Sequence, residues 1–393
     1  MSFDFGAELH EKPASFKLWP REGRFTALID ADLLPYIVGF TTEEADYAKA
    51  LHRVETGEYP ALMDTPECED ALDHLDWLVN AWVSGAEADS AILYVTDSPG
   101  NYRLPIAFSA PYKGQRPPEK PAFFYELREH LKVSHQAIVA EDCEADDLIV
   151  TEMSRRNAAM LEQGAEIGSA AHRRFSDAIA VSSDKDLRIC PGWHYDPTKQ
   201  ERVWVDVLGW LEPVYKVKEV INYKTIVLCK QHKDDEEACF ACSGKQPCVP
   251  LTYVRGAKAG EAKTKRLKDG TRFSQAVDKL RGAGIKFFYA QLLMGDSADN
   301  YPGVPGVGTT RAFEVLNPLN TEEDLYNAVL EEYTKKYGAR SLASNYRGGS
   351  LYLTPEQYMV EQGRLAWMRT YEGEIWREDV HVPGGEDEAW QQK

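Results

Sequence analysis

Apolar residues fall into two alternating rhythms along the chain. Short apolar runs at 25–29, 91–95, 137–139 and 178–181 read as strands. Between them, residues 42–55, 68–83, 123–131 and 145–161 repeat apolar positions at helical spacing. Thr41 or Thr42 and Thr65 are the capping candidates for the first two of these helices. Strands that alternate with helices predict an α/β fold, a twisted and mostly parallel sheet flanked by helices in three layers. Residues 1–20, with Pro13 and Pro20, read as an arm. From Thr321 the pattern is helical with Glu-rich faces, and from Pro383 it reads as a loose tail.

Composition narrows the class. With 393 residues, 43% of them hydrophobic and 27% charged, the chain is expected to be soluble and globular. No apolar run is long enough to span a bilayer and the first 17 residues are polar, so no membrane partner and a cytoplasmic location are expected. Seven cysteines, an odd number, fit a reducing compartment better than a disulfide framework. A net charge of −18 weighs against a polyanionic partner, although local patches decide that question.

Each predicted strand ends in acid. Asp30 follows the first, Asp97 the second, Glu144, Asp146 and Asp147 the third, and Asp184 and Asp186 the fourth. In parallel sheets ligands bind beyond the carboxyl ends of the strands. Acidic residues also suit the first turn of a helix, which is the bland reading of 141–147 taken alone. Carboxylates gathered from four strands repel one another and raise their own pKa values unless a cation is present. Oxygen-only donors select hard ions, Mg²⁺ or Mn²⁺. Asp32, Glu141 and Asp142 are weaker candidates that suit a solvated face.

Three further stretches carry chemistry. Asp296 and Asp299 precede a glycine-rich turn, Gly303, Gly306 and Gly308, that leads into Thr309, Thr310 and Arg311. Such a turn between helices exposes amides that can hold a phosphate. Residues 98–121 interleave Arg103, Lys113, Arg116 and Lys120 with Tyr102, Phe108 and Tyr112, which suits a single-stranded backbone with stacking bases, or a plain surface loop. Residues 218–286 read as an insertion. Cys229, Cys239, Cys242 and Cys248, with His232 nearby, offer a structural zinc site or the unligated thiols of a small core. Its second half, 255–286, has ten Lys/Arg against three acids, a cationic surface for a phosphate backbone.

Taken together, these motifs resemble the 5′-nuclease family, the flap endonucleases and phage 5′→3′ exonucleases. The likeness covers residues 25–200 and 287–316, with a weaker echo at 362–376. It rests on Asp30, Thr96-Asp97 with Arg103, the run Tyr112 to Arg116, Glu144 to Asp147, Ser183 to Asp186, and Gly295 to Gly308. Thr96-Asp97-Ser98 and the late Trp-bearing segment look closest to the exonucleases of short-tailed phages. Thr310 stands where the family often has lysine, and Ala31 where glycine often follows the first aspartate.

The resemblance implies a PIN-like or flap-endonuclease-like fold with a helix–three-turn–helix that grips duplex DNA. The implied division is an arm at 1–20, a nuclease core at 21–217 with an arch-like loop at 98–121, the insertion at 218–286, and the helix–three-turn–helix with a C-terminal helical region at 287–393. It implies two-metal phosphodiester hydrolysis, with cations about 3.5–4 Å apart. Asp97, Glu144, Asp146 and Asp184 would form the inner site, with Asp30 and Asp186 close by. Asp147, Asp296 and Asp299 would serve the second ion. Lys113, Arg116 and Arg103 would act on the reacting phosphate. Tyr112, Gly303, Gly306, Gly308, Thr309 and Arg311 would contact DNA, with K⁺ at the glycine turn a further implied cofactor. The substrates would be DNA 5′ ends, flaps or duplex, with RNase H-like cleavage and phage replication proteins as extensions. A strict flap endonuclease, a catalytically silent binder of branched DNA and an RNA-cutting nuclease are the competing readings.

Overall fold

The strand Thr26–Asp30 (β1) is apolar on both sides, which places it inside a sheet: Ala27 and Ile29 enter one core, Leu28 the other. A computed structural model of the chain describes residues 25–96, 100–116, 119–232, 238, 241–242 and 248–383. The expected arm, and the tail beyond residue 383, lie outside them.

β1 pairs in parallel with Ser90–Thr96 (β2) on one side and Ala178–Val181 (β4) on the other. Ile138–Ala140 (β3) adds beyond β2, and Gly192–Asp196 (β5) beyond β4, both parallel. Glu201–Val205 (β6) closes that edge antiparallel, giving the order β3-β2-β1-β4-β5-β6. β5 and β6 are joined by a tight turn in which Asp196 Oδ1 accepts from the Thr198 and Lys199 amides at 3.1 and 3.2 Å. This pair falls outside the four predicted strands.

Helices cover both faces. Leu34–Thr41 (α1), Glu44–Glu55 (α2) and Pro66–Gly85 (α3) pack on the Ile29 side. The sequence pattern does not mark α1, and Thr41 and Thr42 close it instead of opening α2: both hydroxyls donate to the Val38 carbonyl at 2.9 Å. Thr65 precedes α3, yet its hydroxyl donates to Leu62 O at 2.6 Å and caps nothing. Arg103–Ile106 (α4) is one turn, and Phe124–Val133 (α5) joins the first face. Ala145–Glu162 (α6) packs on the Leu28 side, and Ala170–Phe175 (α7) follows it.

The described residues form two compact units, one up to Glu212 and again from Arg281, the other Pro213–Leu280. In the first unit Gly284–Met294 (α8) is almost wholly buried, and Thr309–Leu316 (α9) and Glu322–Tyr337 (α10) follow. A hairpin of Ser341–Ser344 and Ser350–Leu353 then interrupts the helical pattern expected from Thr321, before Pro355–Ala366 (α11). The second unit holds most of a two-stranded ribbon, Trp210–Val227 with Thr264–Ala283, tied there by a Lys216–Asp278 ion pair and by Arg266 over the Tyr223 ring at 4.7 Å. Its small core holds Ile226, Cys229 and Cys248, with Leu228 and Cys242 against them. No helix among the described residues is long and apolar enough to cross a membrane.

Candidate active site

Parallel pairing brings the carboxyl ends of β1 to β4 to one edge, and the chain continues from each into polar residues. Asp30 is the last residue of β1. Ser182, Asp184 and Asp186 follow β4, and Glu144 is the N-cap of α6, just beyond β3. Asp97 follows β2 and lies outside the described residues.

Asp30 is buried, and burial with the nearby Asp32 and Asp184 carboxylates pushes its carboxyl up to about 7. Ser182 offsets part of this by donating to Asp30 Oδ2 at 2.9 Å. Asp146 is raised well above the usual range by burial, then by Asp30, Asp184 and Glu144. Asp186 rises to about 8 through burial and Asp184, against the pull of Lys185, while Gln291 Nε2 donates to its Oδ1 at 2.6 Å. Asp299 is raised by burial, with Lys113 partly compensating. Asp30 and Asp186 therefore hold protons at pH values where solvated carboxyls have lost them.

Two acids nearby behave oppositely because each has a cation. Burial pushes Glu144 up, but Lys113 and Arg103 outweigh it, so it stays below its ordinary value. Lys113 Nζ meets Glu144 directly and lies 3.8 Å from Asp299. Burial likewise acts on Asp296, and the Lys185 ammonium at 2.6 Å outweighs it.

The cationic loop is held in place. The Lys113 amide donates to Asp299 O at 3.1 Å, Asn300 Nδ2 donates to Pro111 O at 2.8 Å, and Gln115 bonds Asn300 Oδ1 at 2.8 Å. Lys113 itself sits at φ 53, a left-handed conformation uncommon for a non-glycine residue. Arg116 reaches Asp299 at 3.2 Å with its side chain 56% exposed, open to an incoming anion.

Several expected site residues have other duties. Asp147 does not face the cluster: it is buried and grips Arg103 through two hydrogen bonds of 2.7 and 2.8 Å, which hold its carboxyl below the usual range against burial. Arg103, expected at the reacting phosphate, is 1% exposed and donates also to the Leu365 and Trp367 carbonyls. Tyr112, expected to stack on bases, is buried with its hydroxyl donating to Glu144 Oε2 at 3.1 Å. Asp32 accepts from the Thr96 amide and from Arg128 at 3.0 and 2.9 Å.

The turn between α8 and α9 is closed by paired amide–carbonyl bonds between Asp296 and Tyr301, 2.9 and 3.0 Å long. Gly295, at φ 74, lies where a Cβ would strike the Pro302 carbonyl carbon at 2.5 Å. Gly303 is likewise a packing glycine, its amide donating to buried Gln362 Oε1 at 2.7 Å. Gly306 and Gly308 are exposed just before α9, and Thr309 begins it. Arg311 is tied to Glu332 at 2.7 Å and keeps half of its side chain in solvent.

Sequence reasoning passed over Glu361, Gln291 and Lys185. Glu361 is fully buried in α11 and accepts from the Phe108 and Ser109 amides at 2.7 and 2.6 Å. Nothing local in the sequence marks Glu361 or Gln291, since both act on residues more than a hundred positions away. Lys185, inside the Ser183 to Asp186 motif, was visible only as a spacer between two acids.

The donor set fits hard divalent cations: it is all oxygen, and burial with like charge raises Asp30, Asp146 and Asp186 within it. The chain is thus an α/β protein with a candidate divalent-cation centre at the carboxyl edge of its sheet. It resembles the 5′-nuclease family. Over 220 residues it is 24% identical to a protein of Halalkalibacterium halodurans named 5′-3′ exonuclease; the match covers 55% of this chain and 61% of that protein's length. No family model matches the sequence. Among solved structures, the T5 5′-exonuclease with divalent metal ions (zinc) bound is 13% identical, covering 80% of this chain and 91% of that one at a TM-score of 0.36. A bacteriophage T5 flap endonuclease pseudo-enzyme–product complex with DNA and metal ions is 12% identical, covering 87% and 99% at 0.37.

Proposed function

We propose that the protein is a divalent-metal-dependent 5′→3′ exodeoxyribonuclease that hydrolyses phosphodiesters near DNA 5′ ends, with some flap-cleaving capacity. The observation that carries this is the cluster of buried Asp30 with half-buried Asp146 and Asp186, all with raised pKa values, beside Lys113 and Arg116. A binding module would gain from losing these acids, since they repel a phosphate backbone.

Asp30, Glu144, Asp146, Asp184 and Asp186, together with Asp97, would hold the catalytic cations, and Asp296 and Asp299 would hold a second ion or its waters. Divalent ions bound there supply Lewis-acid stabilisation of phosphoryl charge and a more acidic water. The chain's own contribution is positioning. Lys113, which contacts Glu144 and lies 3.8 Å from Asp299, would face the scissile phosphate once cations took over the charge of these acids, and its ammonium would stabilise developing negative charge. Arg116 reaches the same side from a more exposed place and would steer the strand. Arg103 acts indirectly, by fixing the first turn of α6 and so the direction of Asp146.

The exposed Gly306–Gly308 backbone before α9 would serve as one half of a helix–three-turn–helix, with Thr309 and Arg311 contacting duplex phosphate and K⁺ as a local cofactor. Among near alternatives, a strict flap endonuclease uses the same residues. Participation in phage replication or host-DNA degradation follows from the family resemblance.

The test is digestion of 5′-labelled duplex, 3′-labelled duplex and 5′-flap DNA, with Mg²⁺ or with EDTA. Mg²⁺-dependent release of mononucleotides or short products from the 5′ end is expected. Cleavage restricted to flaps selects the endonuclease reading, whereas EDTA-resistant cleavage or none at all rejects the proposal.

A further inference from the structure

The second compact unit carries a cluster that the proposed nuclease site does not use. Cys229, His232, Cys242 and Cys248 bring one ligand atom each to within 4.8 Å of one another. Cys229 Sγ lies 3.2 Å from His232 Nδ1, Cys248 Sγ 3.8 Å from the same nitrogen, and Cys242 Sγ 3.8 Å from Cys229 Sγ. A tetrahedron with metal–sulfur bonds of about 2.3 Å has edges of about 3.8 Å, and one with a shorter metal–nitrogen bond has edges slightly below that. The observed separations therefore match tetrahedral edges. They are far longer than a disulfide of about 2.05 Å.

The backbone fixes this cluster from two directions. Lys230 N donates to Val249 O at 2.8 Å and Leu251 N to Leu228 O at 2.7 Å, so the segments that bear Cys229 and Cys248 are strapped side by side. Among the described residues, Ile226 and Leu228 are the only aliphatic ones in the core around the three thiols. Tyr215, Val217 and Tyr223 on the ribbon are more than half exposed and add nothing to it. A unit of this size with so little apolar burial among its described residues needs a staple, and small domains commonly use a metal for it.

We propose that Cys229, His232, Cys242 and Cys248 bind one structural zinc ion, a three-thiolate, one-imidazole site. Soft thiolates with one imidazole in tetrahedral array select zinc over the hard cations that suit the carboxylates at the sheet edge. This assignment puts His232 in the place that spacing alone offers to Cys239, which lies outside the described residues. It also separates the protein's metals by chemistry: chelation by oxygen donors at one site, by sulfur and nitrogen at the other. The zinc holds the closed end of the ribbon as a fixed point from which the basic stretch beyond Arg255 departs.

The experiment measures zinc per chain in the full-length protein purified without chelator, for wild type and for the His232→Ala, Cys242→Ser, Cys248→Ser and Cys239→Ser variants. About one zinc per chain is expected in wild type and in Cys239→Ser, and a loss of most of it in the other three. Because a variant can misfold for other reasons, Co²⁺ is also titrated into metal-stripped wild type, where visible absorption of tetrahedral thiolate coordination is expected. Absence of zinc from wild type, or absence of that absorption, overturns the site. Zinc lost from Cys239→Ser but kept by His232→Ala overturns this ligand set.

Discussion

Asp146 and Asp147 are neighbours in sequence and opposites in chemistry. In the first turn of α6 successive side chains point about 100° apart, so one faces the acidic cluster and the other the Arg103 guanidinium. Asp146→Asn removes a carboxyl whose ionised form is disfavoured by burial and like charges, so it is expected to abolish cleavage while leaving the metal-free fold as stable or more so. Asp147→Asn leaves a buried arginine without its partner and should cost about 3–5 kcal/mol, read by denaturant unfolding. Equal stability of the two variants would contradict this division of labour. Lys113→Ala should lower the single-turnover cleavage rate more than it weakens DNA binding; a change in affinity alone would make Lys113 a backbone contact. The acids of the site were legible because each follows a strand run at a predictable edge. Which of two adjacent acids turns inward was not, because that depends on Arg103, whose side chain arrives from 44 positions away.

At the scale of elements, the stretch expected to be an arch is tied down near its middle. Glu361 of α11 clamps the Phe108 and Ser109 amides, and Arg347 donates to Ala107 O at 2.6 Å. Glu361→Gln keeps the shape and removes the charge-assisted acceptor. It should destabilise by about 1–3 kcal/mol and speed hydrogen exchange at the amides of Phe108 and Ser109. Unchanged exchange there would show that the clamp does not hold the segment. β1, β2 and β4 and the helices between them were legible because burial on both faces makes their apolar runs continuous, and β3, at the sheet edge, because its short run Ile138–Ala140 is wholly apolar. β5, β6 and the Ser341–Ser344 hairpin were not, since their residues mix polar and apolar side chains: β5 buries a histidine and an aspartate, and β6 and the hairpin are only partly buried. α1 escaped because it is short, with proline near its start and a glycine inside it.

At the scale of the whole molecule, stability should depend on cations. Asp30 and Asp186 titrate near 7 and 8 when folded, against 3.8 as the ordinary value, so the folded state keeps protons that the unfolded chain has lost. Their contribution therefore falls as pH rises from about 4 to 8. His172 and His194, held neutral by burial with values lowered to about 4, act the other way only below their ordinary 6.5. From pH 6.5 to 8 the carboxyl effect stands alone among these four: the melting temperature in EDTA should fall, and millimolar Mg²⁺ or Mn²⁺ should restore it. A flat profile, unaffected by metal, would count against a cation-dependent edge. The most direct measurement is calorimetric titration of Mn²⁺ into wild type and Asp146→Asn, each with the Cys-rich unit saturated with zinc beforehand. Wild type should bind Mn²⁺ with release of protons, and Asp146→Asn should bind it at least tenfold more weakly. Equal binding by the two proteins would contradict the claim that the carboxyl edge of this sheet is a metal centre.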